Sequence, residues 1–140
     1  MTDRNLKLNW LSRGRVLRTR LVGLQAEVAE LRSRADYAGI SSGGSGSGSG
    51  NGSERKFLAL IEAEAELAAV RQELERTEAE IRTAIAQVEV PIYQTYLRMR
   101  FLAYRSGREI AAETKYSETY IDSHVRKKAV DSVKMPANDC

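Results

Sequence analysis

At 140 residues, with a formal net charge of +3, a single His and a single Cys, the chain has room for about one domain. One cysteine excludes an internal disulfide, a zinc site is not expected from so few ligands, and Cys140 with His124 is the sole Cys/His pairing open to nucleophilic chemistry. No apolar run reaches the ~18 residues of a membrane span, and Met1 is followed by Asp3, Arg4 and Lys7 rather than an apolar leader, so a cytoplasmic chain with no membrane partner is expected.

Residues 1–40 hold eight basic and four acidic side chains, 54–90 hold five and nine, and 91–140 hold nine and six. The middle is acidic and both ends are basic. In the first segment Trp10, Gly14, Leu17, Leu21, Leu24, Val28, Leu31, Ala35 and Ala38 advance by alternating steps of four and three, a heptad seam. A coiled-coil helix over 1–40 is predicted. Ser41 to Ser53 then contains only Ser, Gly and one Asn, the composition of a flexible loop. The second seam, Leu60, Ala63, Leu67, Val70, Leu74, Thr77, Ile81, Ala84 and Val88, has the same length, with Ser53 as its expected cap and Glu54 in its first turn. A second coiled-coil helix over 54–90 follows.

Equal seams on either side of a flexible tract predict an antiparallel hairpin. A Gly/Ser chain of this length spans about 20 Å, twice the ~8 to 10 Å between packed helix axes, so the closure is unstrained. Its extra length over a short turn costs on the order of 1 kcal/mol. Three origins fit the tract: a natural loop, an engineered replacement of a longer one, or a tip that touches a partner. A lone hairpin buries too little to be secure, so it is expected to pack on the C-terminal segment, on a second copy as a homodimer, or on both. Leu11, Val16, Val22, Phe57, Ile61 and Ile85 lie off the seam and supply that second surface.

Pro91 lacks an amide donor and disfavours helix at Val90, so a new unit begins there. Three short helical patterns fill 91–134, leaving 135–140 as a disordered tail. The first, Pro91 to Tyr104, places Tyr96, Met99 and Leu102 or Ala103 on one face. The second, Ser106 to Thr114, opens with a capping box of Ser106 and Glu109 and points Ile110 and Ala111 inward. The third, from Ser117 to about Val133, repeats apolar residues at Ile121, Val125, Ala129 and Val133. Only Lys115 and Tyr116 separate the second from the third, which is the spacing of a helix-turn-helix.

The run "LRMRFLAYRSGREIAAETKYSETYI" resembles region four of bacterial sigma factors, through Glu109-Ile110-Ala111 in the second helix and Ser117 and Ile121 opening the third. The whole chain resembles small phage and prophage regulators with a coiled-coil front half, a Gly/Ser-containing break and a sigma-like end. "NWLSRG", the break at Ser41, "IAQVEVPIYQTYLRMRFL" and "KYSETYI" occur in that family's order. Two positions depart from the pattern: Lys115 stands where Gly or Asn is common, and Lys128 where Ala is expected.

The resemblance implies an all-α transcription regulator that binds double-stranded DNA in the bacterial host cytoplasm. In a helix-turn-helix the start of the third helix enters the major groove while its surroundings hold phosphates. Glu118, Thr119, Asp122, Ser123 and Arg126 are then the base-contacting candidates, with Arg126 suited to guanine and either acid to cytosine. Arg105, Ser106, Arg108, Lys115, Lys127 and Lys128 are the phosphate-contacting candidates. Glu118 and Asp122 also repel phosphate, so an auxiliary basic patch of Arg13, Arg15, Arg18 and Arg20 is expected to help, unless Glu73, Glu75, Glu78 and Glu80 neutralise it across the hairpin. The aromatic residues of 93–120 are read as core and turn packing, and His124 as a surface residue. No catalytic, metal or cofactor site is expected. A second function fits the same sequence: an adaptor or inhibitor whose helical surfaces bind a host protein such as RNA polymerase or a defence nuclease.

Overall fold

Every regular element of the computed structural model is a helix, and no strand occurs among the described residues, 2–41 and 50–136. In chain order these are α1 (Asp3–Leu11), α2 (Arg13–Ser41), α3 (Gly50–Ala86), α4 (Pro91–Phe101), α5 (Gly107–Thr114), and a third C-terminal helix in three parts: α6 (Glu118–Tyr120), a π-helical stretch (Ile121–Val125) and α7 (Arg126–Asp131). No helix is long and apolar enough to cross a membrane. The chain divides into two compact units, one drawn from Met1–Val16 and Leu74–Cys140, the other Leu17–Glu73.

The expected first helix over 1–40 is two helices. Ser12 ends α1 with its amide bonded to the Leu8 and Trp10 carbonyls, and the break lets α1 bury Leu11 completely, with Leu8 and Trp10 against the same core. Of the expected loop over 41–53, Ser41 closes α2 and residues 50–53 already belong to α3, so Ser53 is not the cap. Residues 42–49 of the tract and 137–140 of the expected tail lie outside the described residues.

In the smaller unit, Val28 of α2 is buried with Leu60 and Ala63 of α3, and Leu31, Ala35 and Leu67 pack around them. Ion pairs flank this seam, Arg32 with Glu64 and Arg20 with Glu66. Most heptad positions of α3 leave solvent, Leu60, Ala63 and Val70 in one unit and Leu74, Thr77, Ile81, Ala84 and, just past the helix, Val88 in the other, while Leu67 is half-buried. The off-seam residues divide. Leu11 and Ile85 are wholly buried, whereas Val16, Val22, Phe57 and Ile61 remain exposed.

The larger unit has the main core. Ile81, Ile85 and Val88 meet Tyr96, Leu97 and Phe101 of α4, Ile110 and Ala111 of α5, and Ile121, Val125, Ala129, Val130 and Val133 of the last helix. Gln94 Nε2 donates to the Val88 carbonyl at 3.1 Å, so α4 satisfies backbone left open where α3 stops. The expected inner face of α4 is shifted: Leu97 and Phe101 join Tyr96 as its buried residues, Met99 and Leu102 only pack partly, and Ala103 is exposed. The cause is that α4 touches α5, the π stretch and α7, which together cover a wider face than one seam.

Candidate nucleic-acid interface

Three residues past the end of α4, Tyr104 lies in the left-handed region (φ 60°). The Arg105 amide returns six residues to the Met99 carbonyl at 2.9 Å, which folds the chain back over the end of α4. A large residue occupies this position because its ring is used. The Tyr104 hydroxyl donates to Glu78, and Gly14 admits the ring so closely that a β-carbon there would fall 2.7 Å from the hydroxyl oxygen.

α5 begins with a complete capping box. Ser106 Oγ accepts from the Glu109 amide at 3.2 Å, and Glu109 Oε1 accepts from the Ser106 amide at 2.9 Å. The backbone amide bond is the chief reason the Glu109 carboxyl is held below its ordinary range. α5 closes at Lys115 in the left-handed region (φ 68°), with its amide bonded to the Ala111 carbonyl. Ser117 then caps the last helix by accepting from the Tyr120 amide at 3.1 Å.

The apolar residues of that helix explain its π stretch. Ile121, Val125 and Ala129 in the helix and Val133 just past its end are spaced by four, and all are buried. An α-helix repeats every 3.6 residues, so a sustained step of four drifts off the core unless one turn widens. The turn at Ile121–Val125 widens, with the Arg126 amide reaching back five residues to the Ile121 carbonyl. The extra residue places Ala129, and not Lys128, against the core.

With a local repeat of four, the helix presents distinct rows. Glu118, Asp122 and Arg126 form one that leads into buried Val130, while Thr119, Ser123 and Lys127, and Tyr120, His124 and Lys128, form two on the outer side. The first row faces neighbouring elements. Glu118 pairs with Arg108 at 3.7 Å, and the Asp122 carboxylate lies over the start of α5, where a β-carbon on Gly107 would fall 2.5 Å from Oδ1. Arg126 Nε donates to the Asp122 carbonyl at 3.1 Å.

The base-contacting candidates therefore separate. Thr119 and Ser123 lie on the outer rows, whereas Glu118, Asp122 and Arg126 lie on the flank. The phosphate-contacting candidates separate too. Arg105 pairs with Glu113 at 3.4 Å, Arg108 with Glu118, and Ser106 is committed to its cap. Lys115, Lys127 and Lys128 are exposed and belong to no ion pair among the described residues. Of the auxiliary patch, Arg13 binds Glu80 at 2.9 Å and lies over the Trp10 ring, and Arg15 lies over the Tyr104 ring. Arg18 and Arg20 belong to the smaller unit, where Arg20 is paired with Glu66.

Two features escaped the sequence reading. The first is α1, which packs on α7: Arg4 makes a two-bond contact with Asp131 at 2.9 and 2.7 Å, and Lys7 Nζ donates to the Asp131 carbonyl at 2.9 Å. The Arg4 bond holds the Asp131 carboxyl below its ordinary range. A cleft lined by Arg4, Asn5, Arg126 and Lys127 results. The second is a stack of Tyr116, Tyr120 and His124 on the outer side, with Tyr116 and Tyr120 both exposed. Their spacing of four was visible, but their exposure depended on which row the core would take.

The surface so assembled is an outward strip of small hydroxyls, ring edges and lysines, with nearby acids turned to α5. Such a strip can donate to an anionic polymer and contact its groups at close range. The chain matches no family model, no curated protein and no solved structure.

Proposed function

We propose that this protein is a phage-type transcription regulator that binds double-stranded DNA through a sigma-like helix-turn-helix. α4, α5 and the α6-to-α7 helix are its three helices, and α2 with α3 is an antiparallel coiled-coil hairpin. The observation that carries the reading is the joint between α5 and the last helix: a capped short helix, a left-handed Lys115, and a Ser117 cap that opens a helix whose outer rows carry Thr119, Ser123, Lys127 and Lys128. Engagement of Glu118 by Arg108 weakens the repulsion that its charge would otherwise exert on phosphate. Arg126 and Lys127, beside Arg4 in the cleft against α1, serve as backbone anchors. Replacing both, Arg126→Ala with Lys127→Ala, is expected to weaken duplex binding and to lower its salt slope by up to about 2. An unchanged slope removes them from the interface.

A second reading rests on the smaller unit, where Phe57, Leu58 and Ile61 stand about half exposed on α3. Such a patch suits a protein partner, either a host protein such as RNA polymerase or a defence nuclease, or a second copy of this chain. Light scattering of the intact chain against Phe57→Glu with Ile61→Glu tests the second-copy form. A dimer mass that falls to a monomer supports it, and a monomer in both contradicts it.

A further inference from the structure

From the stack on the outer side of the last helix, we infer that Tyr116, Tyr120 and His124 form an edge-on ridge that contacts thymine methyl groups in the major groove. The inference rests on the DNA-binding reading and names the bases it prefers. Ring centroids lie 5.3 and 5.0 Å apart, with interplanar angles of 29° and 20°. Each ring therefore spends a face on its neighbour, and the middle ring spends both. Single-stranded bases bind aromatic residues through open faces. This stack offers mainly edges, which favours contact with the groove of a duplex over stacking with an unpaired strand.

The dimensions and surroundings agree. The two centroid steps together span at most about 10 Å, up to roughly three base-pair steps at ~3.4 Å each. Tyr116 and Tyr120 remain 46% and 41% exposed in the folded chain, so their outer edges are open to a ligand. Neither Tyr hydroxyl nor the imidazole has a hydrogen-bond partner among the described residues. Lys115 precedes the ridge, and Lys127 and Lys128 follow it, so cations bracket both ends. Thymine is the one base whose major-groove edge carries a methyl group, and apolar ring edges recognise it by burying that methyl.

The test uses the full chain and two labelled duplexes of alternating adenine and thymine, one with every thymine replaced by deoxyuridine. Only the methyl groups differ. Anisotropy at low salt is expected to show the thymine duplex bound about fourfold or more tightly, since one buried methyl is worth that factor. Tyr116→Ala with Tyr120→Ala should bind both duplexes equally, with its fold checked by circular dichroism, and Tyr120→Phe should keep the preference. Equal affinity of the unaltered chain for the two duplexes, with salt-dependent binding intact, overturns the ridge and leaves the DNA reading standing. A preference that survives loss of both tyrosines reports duplex shape and also overturns it. Tighter binding to single-stranded oligothymidine than to either duplex replaces the ridge with a stacking platform. Binding to no duplex removes both proposals together.

Discussion

Lys115 and Tyr104 share a left-handed backbone and differ in what their side chains do. A left-handed non-glycine residue costs roughly 1 to 2 kcal/mol in backbone energy, part of which glycine returns as unfolded-chain entropy. The Lys115 side chain has no partner to lose, so Lys115→Gly is expected to stabilise the fold by up to about 1 kcal/mol in urea titration while weakening DNA binding. Tyr104→Gly relieves the same backbone strain but removes a ring packed on Gly14 and a hydrogen bond to Glu78. Net destabilisation is expected there. The carboxyls of Glu109 and Asp131 supply a pH dependence. Each is held below its ordinary value, the first by the Ser106 amide and the second by Arg4. A group whose folded pKa is depressed stabilises the fold above its unfolded value, and that stability fades as pH falls through the folded one. Thermal melts should therefore lose height below about pH 4, and Glu109→Gln should flatten that loss.

Among the elements, the last helix depends most on matching its period to its core. Apolar residues at steps of four, three in the helix and Val133 just past it, accompany the widened turn at Ile121–Val125. The spacing was legible in the sequence, but its consequence was not, because a step of four fits an α-helix for two turns and fails only when the core fixes all four positions. The displaced row is why Lys128 could stand where Ala was expected. The caps of α5 and the last helix were legible because Ser106, Glu109 and Ser117 act within three residues of themselves. Ser106→Ala is expected to cost about 1 kcal/mol. Leu97→Ala, at the centre of the core and fully buried, should cost about 2 to 5 kcal/mol. Both values are read from urea unfolding, and the smaller change should leave the fold intact.

At the scale of the whole molecule, composition and heptad spacing sufficed for the all-helical character of the described residues and for most buried positions of α3, though not for Ile85, which lies off the seam and is fully buried. What they could not give was long-range placement. The break at Ser12 follows from the burial of Leu11 against residues of the other end of the chain, and the Arg4 to Asp131 pair joins positions too distant for local rules to connect. The same limit applies to the site. Rows of the last helix can be listed from sequence, but only the packed core decides that Glu118, Asp122 and Arg126 are the flank and that the lysines and rings are the outer side. The central claim is that this outer side meets DNA, and its lysines make the claim measurable as salt dependence. The most direct measurement is fluorescence anisotropy of the full chain on random duplex DNA at two salt concentrations. Micromolar affinity that collapses at the higher salt is the predicted result; no binding at the lower salt would contradict it.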